Sequence, residues 1–194
     1  MPTRLGMLTP SSNTLVEPLT AAMLSDGGVQ ATAHFSRFRV TSIGLEDQEL
    51  AQFQPEPMLA AAGLLQDAEV DVIAWSGTSG SWLGVASDRE LCRRIEADFG
   101  VPATTSTIAI HDAFRAYGVQ RFGLVTPYVA EVAERLLKTY SAEGFQCSSE
   151  RHLGMRSNMD FARVTPAEIA ELVRAVAPGA DAVAIVCTNM AAAP

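Results

Sequence analysis

The sequence predicts an α/β protein of two pseudo-symmetric lobes, each a mostly parallel four-stranded sheet flanked by helices, with the functional site in the cleft between them. Two observations carry this reading. The first is an internal repeat: Arg4-Leu-Gly-Met-Leu-Thr-Pro10 returns as Arg121-Phe-Gly-Leu-Val-Thr-Pro127, and Asp71-Val-Ile-Ala-Trp-Ser-Gly-Thr78 returns as Asp181-Ala-Val-Ala-Ile-Val-Cys-Thr188. The second is alternation, because aliphatic runs of strand length take turns with segments of helical period, the pattern of a parallel sheet covered on both faces. Each repeated run ends in small polar residues and so reads as a buried strand delivering a loop from its carboxyl end. The copies differ at one telling position, where Cys187 stands against Gly77.

Taken in order, residues 4–9 form a strand, and residues 13–25 have helical spacing at Leu15, Leu19, Ala22 and Met23, with Ser12 and Asn13 as cap candidates. Residues 30–40 alternate as a second strand, 57–66 form an Ala/Leu-rich helix, and 70–75 form a third strand. An amphipathic helix over 88–99 stops at Gly100, a short strand covers 102–105, and a helix over 108–117 stops at Gly118. The second half repeats the order with strand 122–126, helix 129–144, strand 145–151, helix 166–176 and strand 182–186. The lobes are expected at 1–117 and 118–194. Since the first half runs on for about forty residues past Gly77, the repeat leads us to expect a second lobe that is incomplete at its carboxyl end.

Nearly half of the 194 residues are apolar, enough for a sizeable core. The formal charge of −8, with no cluster of Lys and Arg, argues against nucleic-acid or anionic-membrane partners and for a small molecule. No apolar run approaches the roughly 20 residues of a membrane span. Three cysteines, without C-x-x-C spacing, support neither a disulfide framework nor zinc, so reduced thiols and a cytoplasmic location are expected. His34, His111 and His152 lack metal-ligand spacing. Self-association of the chain is left open.

Three loops carry the chemistry. Thr9-Pro-Ser-Ser-Asn-Thr14 joins a strand to a helix start, where backbone N–H groups and an Asn amide suit a carboxylate; the plainer reading is an N-cap turn. Gly77-Thr-Ser-Gly-Ser81 offers hydroxyls and N–H groups to an oxyanion, or is a glycine turn. Cys187-Thr-Asn-Met190 puts a thiol at a strand end, where it serves as proton donor or base, whereas Cys92 and Cys147 read as packing residues. Trp75 and Trp82 bracket the glycine loop as core or cleft wall, Tyr128 follows Thr126-Pro127, and Ser157-Asn158 is either a helix cap or part of the cleft.

Together, Pro-Ser-Ser-Asn-Thr with Glu17, Thr78-Ser79, Thr126-Pro-Tyr128, Ser157-Asn158 and Cys187-Thr-Asn189 resemble the maleate cis-trans isomerase and arylmalonate decarboxylase group of the aspartate/glutamate racemase superfamily. The resemblance implies two α/β lobes around one active site and no metal or organic cofactor. In the isomerases a first cysteine attacks the double bond and a second handles a proton. Asn13, Tyr128, Asn158 and Cys187 fill matching places here, but Gly77 stands where the isomerases carry the first cysteine. Arylmalonate decarboxylases have glycine there, with one cysteine that protonates an enediolate held by the adjacent Thr and Ser. The resemblance thus implies a cofactor-independent enzyme on a small carboxylic acid. Its catalytic residues would be Cys187, Thr78, Ser79 and Tyr128, and its binding residues Ser12, Asn13, Gly77, Asn158, Thr188 and Asn189. Decarboxylation is the first expectation, isomerisation the second, and carboxylate binding without turnover the third.

Overall fold

The structure, a computed structural model, describes residues 2–192. It opens with strand β1 (Thr3–Pro10), helix α1 (Val16–Asp26) and strand β2 (Ala31–Phe38). A strap with the single-turn helix α2 (Asp47–Leu50) leads to helix α3 (Pro55–Gln66) and strand β3 (Val72–Trp75). Helices α4 (Gly80–Leu83) and α5 (Val85–Phe99), strand β4 (Ala103–Thr105) and helix α6 (Ser106–Ala116) complete the first half. The second half contains β5 (Arg121–Thr126), α7 (Ala130–Ala142), β6 (Gln146–His152), α8 (Asn158–Phe161), α9 (Pro166–Val176) and β7 (Ala182–Ile185).

Both sheets are parallel, in the orders β2-β1-β3-β4 and β6-β5-β7. The first has the four strands expected; the second has three among the described residues. The sequence repeat is kept to the residue, with Leu5 opposite Val72 in one sheet and Phe122 opposite Ala182 in the other. The repeated aspartates do the same work in each half. Asp71 accepts a hydrogen bond from the Arg4 backbone N–H at 2.7 Å, and Asp181 accepts from that of Arg121 at 2.8 Å. These carboxylates pin the start of the central strand to its neighbour. The repeated glycines let neighbouring chain lie close against those strands: a Cβ on Gly6 would come within 2.9 Å of Val70 Cγ2 and 3.2 Å of Leu65 Cδ1 of α3, and one on Gly123 within 2.5 Å of the Val176 carbonyl oxygen of α9.

The halves share a core. His111 and Phe114 from α6 meet Phe122, Tyr140 and Phe145 of the second half in edge-on and tilted pairs, with ring centroids from 4.5 to 6.2 Å apart. Aromatic faces and edges pack this way because their quadrupoles favour it over stacking face to face. Gly100 ends α5 in the left-handed conformation, with φ 67°, as its place after the amphipathic run predicts. No helix among the described residues is long and apolar enough to cross a membrane.

Several elements differ from the sequence reading. Helices α2, α4 and α8 have four residues each, too short for a hydrophobic period to show. Helix α5 begins at Val85, not 88, because the chain re-enters a helix directly after Gly84, which separates it from α4. Helix α6 begins at Ser106 because the Thr105 hydroxyl accepts from the Ile108 N–H and caps it.

The glycine contacts generate an ordered stability test. Gly123→Ala meets helix backbone, whereas Gly6→Ala meets first the end of a valine side chain that can give. Gly123→Ala is therefore expected to lose about 1–3 kcal/mol in chemical denaturation and Gly6→Ala less.

Candidate functional site

The loops after β1, β3, β5 and β7 all leave the carboxyl ends of their strands and converge, as ligand-binding loops do in open α/β sheets. They surround a pocket lined by Pro10, Trp75, Gly77, Thr78, Ser79, Tyr128, Cys187 and Thr188, together with Asn158 at the start of α8. Val40, Ile43 and Phe53 of the strap and Trp82 of α4 close the remaining wall. The space left is about 20 Å³, room for one or two waters.

Cys187 is buried, and burial pushes its thiol up to about 12, opposed by a hydrogen bond from the Asn189 N–H at 3.4 Å and by one from Tyr128. No cation lines the pocket to favour a thiolate. The group is a protonated thiol at neutral pH. Tyr128 is likewise held well above the ordinary phenol value, by burial first and by Cys187 second. Its hydroxyl lies 2.9 Å from Thr78 Oγ1, and either hydroxyl can be the donor in that bond. The Trp75 indole N–H donates to Ser79 Oγ at 3.0 Å. An indole N–H can only donate, which leaves the Ser79 hydrogen free for another acceptor. Among the described residues, the backbone N–H groups of Thr78 and Ser79 have no protein acceptor, nor does the buried Trp82 Nε1.

A second layer holds these loops in place. Asn13 Oδ1 accepts from the N–H groups of Leu15 and Val16 at 3.0 and 2.9 Å and so shapes the turn into α1. Its Nδ2 crosses to the other half and donates to Thr188 Oγ1 at 3.2 Å, and that hydroxyl donates to the Ser76 carbonyl at 2.9 Å. Asn189 accepts from the Thr14 N–H and donates to the Asn158 carbonyl, while Asn158 Nδ2 donates to Ser12 Oγ at 2.7 Å. Ser12 in turn donates to the Val40 carbonyl. Arg37, paired with Glu17, donates to the carbonyls of Pro10, Ser11 and Asn13 and braces the first loop from behind.

Of the residues expected from sequence, Gly77, Thr78, Ser79, Tyr128, Asn158, Cys187 and Thr188 line the pocket. Ser12, Asn13 and Asn189 stand one layer behind it, spending polar atoms on other loops. Sequence reasoning passed over Pro10, Val40, Ile43, Phe53 and Arg37. Ile43 and Phe53 stand in a stretch without hydrophobic period, so no pattern marked them as a cover over the loops. Cys92 and Cys147 lie elsewhere; burial raises both thiols, and Cys147 donates to the Ser149 carbonyl. Among the described residues no three His, Cys, Asp or Glu side chains gather as a metal-ligating group.

Gly77 has a reason beyond the turn. A Cβ built on it would fall closer than 3.0 Å to Cζ2, Cη2 and Cε2 of Trp75, so the indole fills the room a side chain there would need.

Beneath the same loop, the Asp88 carboxyl packs so closely on Gly80 that no Cβ fits there, and it accepts from the Thr105 hydroxyl. Burial pushes Asp88 up to about 6, against the lowering effect of hydrogen bonds from Thr105 and Thr107. Ser81, next to Gly80, shares hydrogen bonds with Thr107 and with Tyr140 of the second half.

The chain has known relatives in sequence and in fold. The sequence matches the arylmalonate decarboxylase family over residues 5–194. It is 29% identical over 203 residues to a maleate isomerase of Pseudomonas putida, covering 98% of this chain and 80% of that protein. It is 33% identical over 139 residues to the arylmalonate decarboxylase of Bordetella bronchiseptica, covering 70% of this chain and 58% of that protein. Among solved structures, a cysteine-to-serine variant of the Nocardia farcinica maleate cis-trans isomerase, with a covalently bound succinylcysteine intermediate, matches with a TM-score of 0.89 at 25% identity, over 98% of this chain and 80% of that one. A liganded arylmalonate decarboxylase with glycine-to-cysteine and cysteine-to-serine substitutions matches with a TM-score of 0.80 at 26% identity, over 98% and 79%. The class is therefore a two-lobed α/β enzyme with its site between related halves. The chain belongs to the arylmalonate decarboxylase family, whose relatives here include both decarboxylases and maleate isomerases.

Two measurements follow. Folded Asp88 keeps a proton that the unfolded chain loses above its ordinary pKa of 3.8, so this stabilisation is full below that pH and is lost as pH rises through about 6. Asp88→Asn is expected to gain on wild type by roughly 1–3 kcal/mol in urea melts at pH 8 and to show no such gain at pH 4. In a Cys92→Ala, Cys147→Ala background, alkylation of Cys187 should keep accelerating beyond about pH 9, where an ordinary exposed thiol levels off.

Proposed function

We propose that the protein is a cofactor-independent decarboxylase of a small malonate-like dicarboxylic acid, working through an enediolate that Cys187 protonates. The reading rests on one observation above all: Cys187 is the sole thiol of the pocket, and its surroundings keep it protonated. A buried thiol with no cation beside it is a poor nucleophile and a competent acid toward a carbanion, whose basicity far exceeds that of a thiolate.

The steps follow from the walls. One carboxylate is held by neutral donors, with the Ser79 hydroxyl, the Thr78 and Ser79 N–H groups and Asn158 in reach of the space. The other faces Val40, Ile43, Phe53 and Trp82, where an ionised group is poorly solvated. Its bond to the α-carbon breaks, CO2 leaves, and the electron pair spreads onto the retained carboxylate as an enediolate. Hydroxyl and N–H donors fixed in advance stabilise that charge, each at about 3 kcal/mol when well aimed. The S–H bond of Cys187 then breaks, its proton passes to the α-carbon, and Tyr128 holds the resulting thiolate until solvent returns a proton. Asn13, Thr188, Asn189 and Ser12 keep the four loops in register for this. The lobes at 1–117 and 118–194 supply the charge-stabilising groups and the acid respectively, apart from Tyr128 and Asn158.

A second reading, cis-trans isomerisation by a non-covalent route, draws support from overall likeness, since maleate isomerases superpose at TM-scores of 0.86 to 0.89 and decarboxylases at 0.71 to 0.80. The covalent route of those enzymes needs the thiol that Gly77 lacks.

Assays for CO2 from substituted malonates and for maleate-fumarate interconversion separate the two. Decarboxylation is expected, with a single solvent deuteron delivered to one face of the product. Cys187→Ser should lower kcat by about 10²-fold or more while ligand affinity stays within a few-fold. Interconversion without CO2 would establish the isomerase, and full turnover in Cys187→Ser would remove Cys187 from the chemistry.

A further inference from the structure

We infer that Trp75 is the specificity-determining residue of this pocket: its indole is the wall of the first half that faces the substrate's α-carbon, and it limits that carbon to small substituents such as hydrogen or methyl. The inference rests on the decarboxylase reading for the identity of the substrate, but its steric basis is independent of the reaction.

Two repeated strands deliver equivalent positions to the cleft, Gly77 from β3 and Cys187 from β7. In the second half that position carries a functional side chain. In the first half the space is filled from two residues upstream, because the six-membered ring of Trp75 lies where a Cβ on Gly77 would project. The ring is not free to swing aside. Trp75 is 1% exposed, its Nε1 donates to Ser79 Oγ at 3.0 Å, and Phe38 packs against it with centroids 5.0 Å apart. Trp75 is among the residues that line the pocket. An α-substituent directed away from Cys187 therefore meets a fixed aromatic plane, and only about 20 Å³ of free space remains to be enlarged by movement of other walls. Two consequences follow. No side chain at 77 can present an acid from the first half while the indole is in place, so proton delivery is confined to the Cys187 side. A bulky α-group is excluded on the face that the indole covers, so removing the indole should admit it.

The steric claim is tested without substrate by a melting cycle. Gly77→Cys is expected to melt roughly 5 °C or more below wild type, and Trp75→Leu to melt lower too, but the double variant should recover much of the Gly77→Cys loss. Strict additivity, or Gly77→Cys melting with wild type, overturns it. The specificity claim is tested by calorimetry in a Cys187→Ser background, which holds ligand without consuming it. Trp75→Leu should shift the affinity ratio of phenylmalonate to methylmalonate by at least about tenfold toward phenylmalonate. An unchanged ratio overturns the claim for Trp75. A coupled melting cycle together with no binding of either malonate and no CO2 release by wild type overturns the substrate assignment and leaves the indole as the wall.

Discussion

The hydroxyl of Thr188 is the point on which the site depends. It accepts from Asn13 of the first half and donates to the carbonyl of Ser76, so one side chain joins the loops that follow β1, β3 and β7. Parallel sheets bring the carboxyl ends of their strands to one edge, but nothing in a sheet fixes the distance between two such edges. That distance is set by the shared aromatic core below and by this short chain of neutral hydrogen bonds above. Asn13 is buried and Thr188 half-buried, and a buried amide that loses its partner costs about 1–3 kcal/mol. Cys187 is the immediate neighbour of Thr188 and inherits its position from that constraint.

Most of the architecture was legible because the chain repeats itself. The Arg4 and Arg121 strands and the aspartates at 71 and 181 make the same contacts in both halves, and the glycines at 6 and 123 fill equivalent tight places against different neighbours, so each copy in the sequence supported the other. Helices α2, α4 and α8 were illegible for lack of length. The pocket was legible where chemistry marks it, at Thr78, Ser79, Tyr128, Asn158 and Cys187. It was not where apolar residues do the work: Val40, Ile43 and Phe53 come from a strap whose path is decided by tertiary contacts. The layer of Ser12, Asn13 and Asn189 shows the limit from the other side. Their residue types suit a ligand, and the structure gives each of them a partner in another loop. The Trp75 indole beside Gly77 was also beyond sequence, since alternation along a strand does not tell how far a large ring reaches back over its own chain.

Electrostatically the pocket is built from neutral groups. An anion entering it finds hydroxyls and N–H groups, not guanidinium or ammonium ions, and the two arginines that brace the loops and the strap are occupied, Arg37 with Glu17 and three carbonyls, Arg156 with Glu49 and Glu131. Neutral donors hold a spread charge nearly as well as a localised one, whereas a fixed cation would stabilise the bound dicarboxylate at the start and deepen the well from which reaction must climb. The absence of a cation from the pocket lining and the raised thiol of Cys187 are thus two aspects of the same environment.

The strap brings a kinetic signature. It is held to the second half by the Ile43 N–H on the Arg156 carbonyl, the Asn158 N–H on the Thr41 carbonyl, and Arg156 spanning Glu49 and Glu131. With room for only one or two waters beneath it, the pocket as it stands admits no organic acid, and a wall such as this strap must move before one enters. Association is then paced by the breathing of the protein and not by the arrival of solute, so its rate levels off at high ligand concentration. Salt screens the exposed Arg156–Glu131 pair and leaves the sheltered Glu49 end largely intact, so ionic strength is only a weak lubricant for that motion.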